Sequence, residues 1–402
     1  MPDEALMRLL EKERGFGRDD YQVRGMWNAT LAGIVYQHPS VESLIRELSR
    51  NGQLRQMCGL DKVPTTWAFS RFLSKLMDME EEIDAIFNRL IDELKVLLPD
   101  FGENLAVDGK KIPTHANPHK DDKLADGRRD TDADFGKKVY RGKREDGTMW
   151  EKVVSWFGYR LHLIVDSLYE LPVSYIVTKA SCGEAPRAHE LLDQLEEVHP
   201  EILDRCKYFS GDRGYDGSKL IVRLWDQHHI KPLIDIRNMW QDEDKTRLVK
   251  GKENVVYDYC GTVYCYCPKS GDRRQMGYGG FEQDRNTLKY RCPAEHYGIS
   301  CQGKKECPAA GAIRIPLKED RRIFTPVARG SYKFEDLYDM RTAVERVNSR
   351  LDVSFGFEKH YIRGLKKMQM RVGLALCVMP AMAAGRIKEN QMEKMRSLVK
   401  AA

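Results

Sequence analysis

Asp108, Asp212 and Glu345 are the residues whose types and settings point to chemistry in this chain. The run LAVDGKKI, Leu105 to Ile112, reads as a short apolar strand that carries a carboxylate and is followed by a glycine and two lysines. A charge at a buried strand end is costly unless a partner such as a metal ion compensates it. The other two carboxylates lie far along the chain, in SGDRGYD at 210–216 and in YDMRTAVER at 338–346. Hard oxygen ligands of this kind hold Mg2+ or Mn2+, and two such ions about 3.5–4 Å apart activate a water or hydroxyl and stabilise the departing oxygen of a phosphodiester. Asp108 is expected to bridge the ions, with Asp212 and Glu345 each favouring one. Taken singly, each aspartate reads better as a turn or cap residue, and Glu345 as a surface ion-pair partner.

Residues around the trio fit a phosphate substrate. Tyr338, Arg341 and Glu345 are spaced by three and four, which puts them on one face of a helix expected over Leu337–Leu351. Arg341 would make paired hydrogen bonds to phosphate oxygens and Tyr338 a hydroxyl or stacking contact. Arg346 and Arg350 fall on adjoining faces, as backbone contacts or as solvent charges. Lys110 and Lys111 meet either DNA phosphate or water. Arg160 and His162 share one side of a strand, although a metal site leaves little need for His162 as a base.

Cysteine supplies a second candidate site. Of ten cysteines, six fall between 260 and 307. Cys267, Cys292, Cys301 and Cys307 are the candidate ligands of a structural Zn2+, with Cys260 and Cys265 as competitors, in spacings unlike those of a common finger. The bland alternative is a set of thiols without metal. Zinc would help a small β-rich segment with little core of its own to fold.

The elements that must position these groups divide the chain into five stretches. Residues 1–99 read as a helical DNA-binding or oligomerisation domain, with amphipathic segments at Glu4–Glu13, Trp27–Tyr36, Val41–Leu48 and Thr66–Leu76 and a longer helix over Met77–Leu98. Ser40 is the expected cap of the third segment, and Arg71 and Lys75 form a basic face on the fourth that fits DNA phosphates. Residues 100–236 read as strand, strand, strand, helix, strand, helix, strand, which argues for a mixed sheet covered by helices. Within this stretch, His115–Gly147 reads as an exposed loop. Residues 237–320 form a β-rich, cysteine-containing insertion, 321–379 resume the α/β pattern and end in a helix stopped at Pro380, and 380–402 are a basic tail. With 402 residues, 32% charged and 42% hydrophobic, and a net charge of +5, a polyanionic partner is permitted but not demanded. No long apolar span or secretory leader stands out, so no membrane partner and a cytoplasmic location are expected.

LAVDGK around Asp108, FSGDRGYDG around Asp212 and YDMRTAVERVNSRL around Glu345 together resemble a bacterial insertion-sequence transposase with a DDE catalytic core, of the group with a β-rich insertion before the glutamate. GYRLH at 158–162, TPVARGS at 325–331 and the stretch Trp27–Phe72 extend the likeness over most of the chain. It departs seven residues after the glutamate, where that group commonly has a lysine and this chain has Asp352; Arg350 and Lys359 are the candidate substitutes. The resemblance implies an α/β fold with a ribonuclease H-like mixed-sheet catalytic core, a helical N-terminal domain and a β-rich insertion. It implies divalent-metal-dependent cleavage and strand transfer at terminal inverted repeats of double-stranded DNA, joining to target DNA, at least a dimer in the active synaptic complex, and nucleoid association when bound to DNA. Related enzymes often pass through a DNA hairpin with an aromatic residue stacked on a flipped base, for which Trp240 is the candidate. The alternatives are a metal-dependent DNA nuclease and a domesticated, non-catalytic DNA-binding derivative.

Overall fold

The structure, a computed structural model, describes all residues except 16–19, 117–129, 145, 147, 241–244 and 398–402. Helices come first: α1 (Glu4–Arg14), α2 (Val23–Val35), α3 (Val41–Arg50), α4 (Gly52–Met57), α5 (Thr66–Met77) and α6 (Glu80–Leu97). Then follow β1 (Asn104–Pro113), β2 (Asp134–Lys143), β3 (Met149–Asp166), β4 (Leu171–Lys179), α7 (Glu184–Val198), α8 (Pro200–Arg205), β5 (Tyr208–Gly211), α9 (Ser218–Val222) and β6 (Lys231–Ile234). The insertion holds β7 (Arg247–Leu248), β8 (Val255–Tyr257), β9 (Val263–Tyr266), β10 (Arg273–Gln275), β11 (Gly277–Glu282), β12 (Thr287–Arg291), α10 (Pro293–His296) and β13 (Ala312–Pro316). The chain closes with α11 (Tyr332–Tyr338), α12 (Thr342–Phe355) and α13 (Leu365–Lys388). The sheet path is β2-β3-β1-β5-β6, with β4 also on β3, giving a mixed α/β fold with parallel and antiparallel pairs.

The chain divides into two compact units, and β1 runs through both. The first comprises Met1–Phe101, Gly109–Gly183 and Val344–Ala402. Its centre is α13, which packs on α6 and β4 and buries Val372, Leu374, Leu376 and Val378. Gly373 is needed there, because a Cβ would stand 2.8 Å from the Tyr175 hydroxyl, which donates to Asp84 at 2.7 Å. By length and composition α13 could cross a membrane, yet most of its apolar window is buried against these neighbours. The Ser40 hydroxyl accepts from the Ser43 amide at 3.2 Å and so caps α3.

Two expectations fail in this unit. The helix does not stop at Pro380 but runs on to Lys388, and Ala383 and Ala384 are buried beyond the proline. Burial on both sides of the break outweighs the one backbone bond that proline removes. Of the stretch expected to be an exposed loop, the described part contains β2, paired with β3 over ten residues from Asp134↔Gly158 to Lys143↔Met149. Residues 117–129, 145 and 147 of that stretch lie outside the described residues.

The second unit comprises Gly102–Asp108 and Glu184–Ala343. In it the first half of β1, β5 and β6 run parallel, and the sheets β10-β9-β8-β7 and β11-β12-β13 build the insertion. One apolar cluster holds the insertion together. It takes Val255, Tyr257, Leu288 and Ile315 from the insertion and Trp225, Ile236, Phe324 and Ala328 from its flanks.

Candidate active site

β1 and β5 bring two aspartates to the point where their parallel pairing ends, although β1 itself runs on to Pro113, so Asp108 lies within its strand and not at the strand end expected from the sequence. Their parallel register runs from Asn104↔Tyr208 to Val107↔Gly211, and one further step along each strand reaches Asp108 and Asp212. Neighbouring strands lie about 4.8 Å apart, so the two carboxylates leave adjacent strands at the same level. The Ser210 hydroxyl donates to the Leu105 carbonyl at 3.1 Å and pins this register. Both aspartates are half-buried beyond a fully buried apolar run.

The chain after Asp212 is shaped by its side chain. Asp212 Oδ1 accepts the Gly214 amide at 2.6 Å and caps the short 3-10 turn Arg213–Tyr215. A Cβ on Gly214 would lie 2.4 Å from Glu184 Oε2 and 2.7 Å from Asp212 Oδ1, so a side chain there would push the two carboxylates aside. Glu184, the first residue of α7, is therefore a further carboxylate beside Asp212 that sequence reasoning missed, since an acid at a helix start reads as an ordinary first-turn residue. Arg213 pairs with Asp235 at 2.5 Å, and buried Asp216 pairs with Arg322 at 2.7 Å, which ties the loop after β5 to the segment leading into TPVARGS.

Tyr338 and Arg341 stand in the same unit as the two aspartates. The single helix expected over Leu337–Leu351 is instead α11, a 3-10 turn at Asp339–Arg341 and α12. Residues three apart eclipse in a 3-10 turn, and the Arg341 guanidinium accordingly lies over the Tyr338 ring at 5.5 Å. The same ring stacks on Phe334 at 5.4 Å and packs against Leu233 and Val327. Burial, with Asp235 and Asp212 nearby, pushes the Tyr338 phenol up to about 12 against the pull of Arg341 and Arg213, so it is a neutral hydrogen-bond donor.

Glu345 lies in the first unit, exposed in the first turn of α12. Two cations expected at phosphate have internal partners there. Lys110 Nζ, on a side chain only 7% exposed, binds Asp352 at 2.5 Å, so the acid seven residues after Glu345 is held by a lysine on β1. Arg350 donates to the Glu170 carbonyl, and burial lowers its guanidinium to about 10. Arg346 and Arg396 grip the Glu170 carboxylate at 2.6 and 2.9 Å. Lys110 is thus paired with the Asp352 carboxylate, and Arg350 with the Glu170 carbonyl and, at 3.9 Å, its carboxylate. His162 is fully buried beside the Thr178 hydroxyl at 3.0 Å, as a core histidine.

Arg71 is exposed on α5, whereas Lys75 donates to the Glu13 carbonyl at 2.9 Å near the end of α1. Trp240 already has partners for its ring: Arg247 at 4.3 Å over the face and Tyr257 at 6.1 Å edge-on. It is partly buried and packs against the insertion's apolar cluster. The cysteines are unpaired by disulfides. Cys267 and Cys301 are neighbours, Cys265 lies within electrostatic reach of Cys292, Cys301 and Cys307, and Asn254 donates to Cys307 at 3.3 Å. The Ser270 hydroxyl and amide hold the Cys267 thiol down at about 6. Among the described residues, no three of these sulfurs stand within 4.8 Å of one another.

Comparison with known families decides what this arrangement belongs to. The model of the transposase DDE domain matches residues 100–379, and that of a transposase domain (DUF772) matches residues 3–75. The chain belongs to the DDE transposase family. The larger match spans Asp108, Asp212 and Glu345, and the smaller one spans this transposase's α1 to α5 almost completely. No curated protein and no solved structure matches the transposase.

Proposed function

We propose that the transposase cleaves DNA at the inverted repeats of an insertion sequence and joins the freed ends to target DNA, with Asp108, Asp212 and Glu345 holding Mg2+ or Mn2+. The observation that carries this reading is the β1–β5 register, which sets Asp108 and Asp212 side by side just past the last parallel pair, Val107↔Gly211. The donor set fits such ions, because carboxylate oxygens are hard ligands and the strand spacing lets two of them share one ion. The bound metal supplies activation of the attacking hydroxyl and relief of charge on the leaving oxygen.

The chain's own residues do the rest. Arg341, oriented over Tyr338, is placed to take phosphate oxygens in a paired contact, and the neutral Tyr338 hydroxyl to donate one hydrogen bond. Hydrolysis at the transposon end frees a 3′ hydroxyl, which then displaces a 3′ oxygen at a target phosphodiester, so the number of phosphodiester bonds is conserved in the joining step. Two ends must be held together, which calls for at least a dimer in the active complex. A ribonuclease H-like core is supported by the strand path, in which a hairpin-linked β3–β4 pair precedes β1, β5 and β6. A structural Zn2+ on Cys267, Cys292, Cys301 and Cys307 is part of the proposal for the insertion, supported by the gathering of these thiols and requiring their sulfurs to close up.

The test is incubation of the purified protein with its own element's end DNA and Mg2+ or Mn2+. Nicked and joined products are expected from the natural protein and none from Asp108→Asn. Full cleavage by Asp108→Asn would overturn the assignment, and metal-dependent nicking without joining would favour the nuclease alternative.

A further inference from the structure

We propose that β2 and the outer half of β3 form a DNA-binding arm that lies in a groove of duplex DNA; this rests on the transposase reading only in taking DNA as the partner. β4 pairs with β3 over residues 159–166, whereas β2 pairs with residues 149–158, so the two strands lie end to end along β3. From Lys137↔Ser155 to Lys143↔Met149 the ribbon continues for seven pairs, about 20 Å at the usual rise. A two-stranded ribbon exposed on both faces is only marginally stable in water. This one has Val139 40%, Val153 48% and Met149 71% exposed on one face, with Trp150 37% exposed on the other.

The ribbon is nonetheless built and not a frayed loop. Trp156 lies across Gly136 and, six residues further out on each strand, Trp150 lies across Gly142, where a Cβ would stand 2.5 Å from the indole nitrogen. These two aromatic-over-glycine pairs stiffen one face. Its charge identifies the occupant: residues 137–152 carry six lysines and arginines against three acids, a net +3 within a chain of net +5. Lys137, Arg144 and Lys152 are exposed. A stiff, basic, two-stranded ribbon suits the DNA major groove, which is about 12 Å wide and admits such an element, with apolar side chains available to thymine methyl groups.

The experiment measures binding of the full-length protein to a 40-base-pair duplex of arbitrary sequence, without divalent metal, across a salt series. The triple variant Lys137→Ala, Arg144→Ala, Lys152→Ala should flatten the slope of log K against log salt by about 2–3 and weaken binding roughly 10- to 100-fold at moderate salt. Its thermal melting should match the natural protein, since all three side chains are exposed. Unchanged slope and affinity would overturn the proposal. So would a Val139→Ser, Val153→Ser variant that lowers the oligomeric mass while DNA affinity stays intact, because the arm would then serve a second copy of the chain. Failure of the natural protein to nick or join DNA would count against the transposase mechanism and leave this measurement untouched.

Discussion

Breaking the Lys110–Asp352 pair should loosen α12 against β1. Lys110 lies two residues after Asp108, on the same side of the strand, and Asp352 lies two helical turns after Glu345. Each partner therefore lies on the same element as one candidate ligand. Removing one member of a fully buried pair costs about 3–5 kcal/mol, because the other charge is left uncompensated. Here Lys110 is 7% exposed but Asp352 is 26% exposed, and water reaching the carboxylate reduces the expected loss to about 2–3 kcal/mol. For a unit of this size that is roughly 5–10 °C in melting temperature. The assay is a double-mutant cycle with Lys110→Met, Asp352→Asn and the double variant, followed by denaturant unfolding and by the rate of DNA-end cleavage. The single variants should each lose stability and cleavage rate, and the double variant should fall short of their sum by at least about 1 kcal/mol. Additive losses, with coupling below about 0.5 kcal/mol, would refute the idea that this pair sets the helix on the strand.

Other perturbations have equally definite outcomes. Asp212→Asn should abolish metal-dependent cleavage and leave folding intact by circular dichroism, since the asparagine oxygen still caps the Arg213 turn. His360 is buried, its Nδ1 accepts the Ile362 amide at 3.3 Å, and burial, then His115 and Arg371, lowers it to about 4 from an ordinary 6.5. The neutral ring therefore stabilises the fold above pH 6.5, and about 3 kcal/mol is lost as the pH falls towards 4. His360→Gln should flatten melting temperature against pH over that window. Gly373→Ala should displace the Tyr175 hydroxyl from Asp84 and cost about 1–3 kcal/mol in urea unfolding. Elemental analysis should find about one zinc per chain, and a metal-free preparation with unchanged stability would remove zinc from the proposal.

What could be read from the sequence was local. Alternating and apolar runs located β1, β3, β4 and β6; Asp212 does follow the end of β5, whereas Asp108, expected at a strand end, lies inside β1, which runs on to Pro113. Their adjacency needed the register of strands about a hundred residues apart, which no local pattern encodes. β2 was hidden because FGKKVYRGK carries two glycines and little alternation; it is a strand only because β3 offers Trp156 and Trp150 to cover those glycines. Pro380 and the Lys110–Asp352 pair were hidden for the same reason, since each depends on a partner brought in by tertiary packing. The turn at Asp339–Arg341 differs from the expected helix by a tightening of one turn, below what spacing by threes and fours can distinguish.

The apolar cluster beneath the insertion limits how such proteins can be cut and recombined. Trp225 and Ile236 before it, and Phe324 and Ala328 after it, share one core with Val255, Tyr257 and Leu288. A cassette taken as residues 237–320 would leave Trp225, Ile236, Ile323, Phe324 and Ala328 of that interior behind and strip the donor of its floor. The workable module is wider than the visible insertion. Ancestral gains or losses here would have had to carry both margins along, which makes this segment a poor candidate for free exchange between lineages and a good one for change by gradual surface drift.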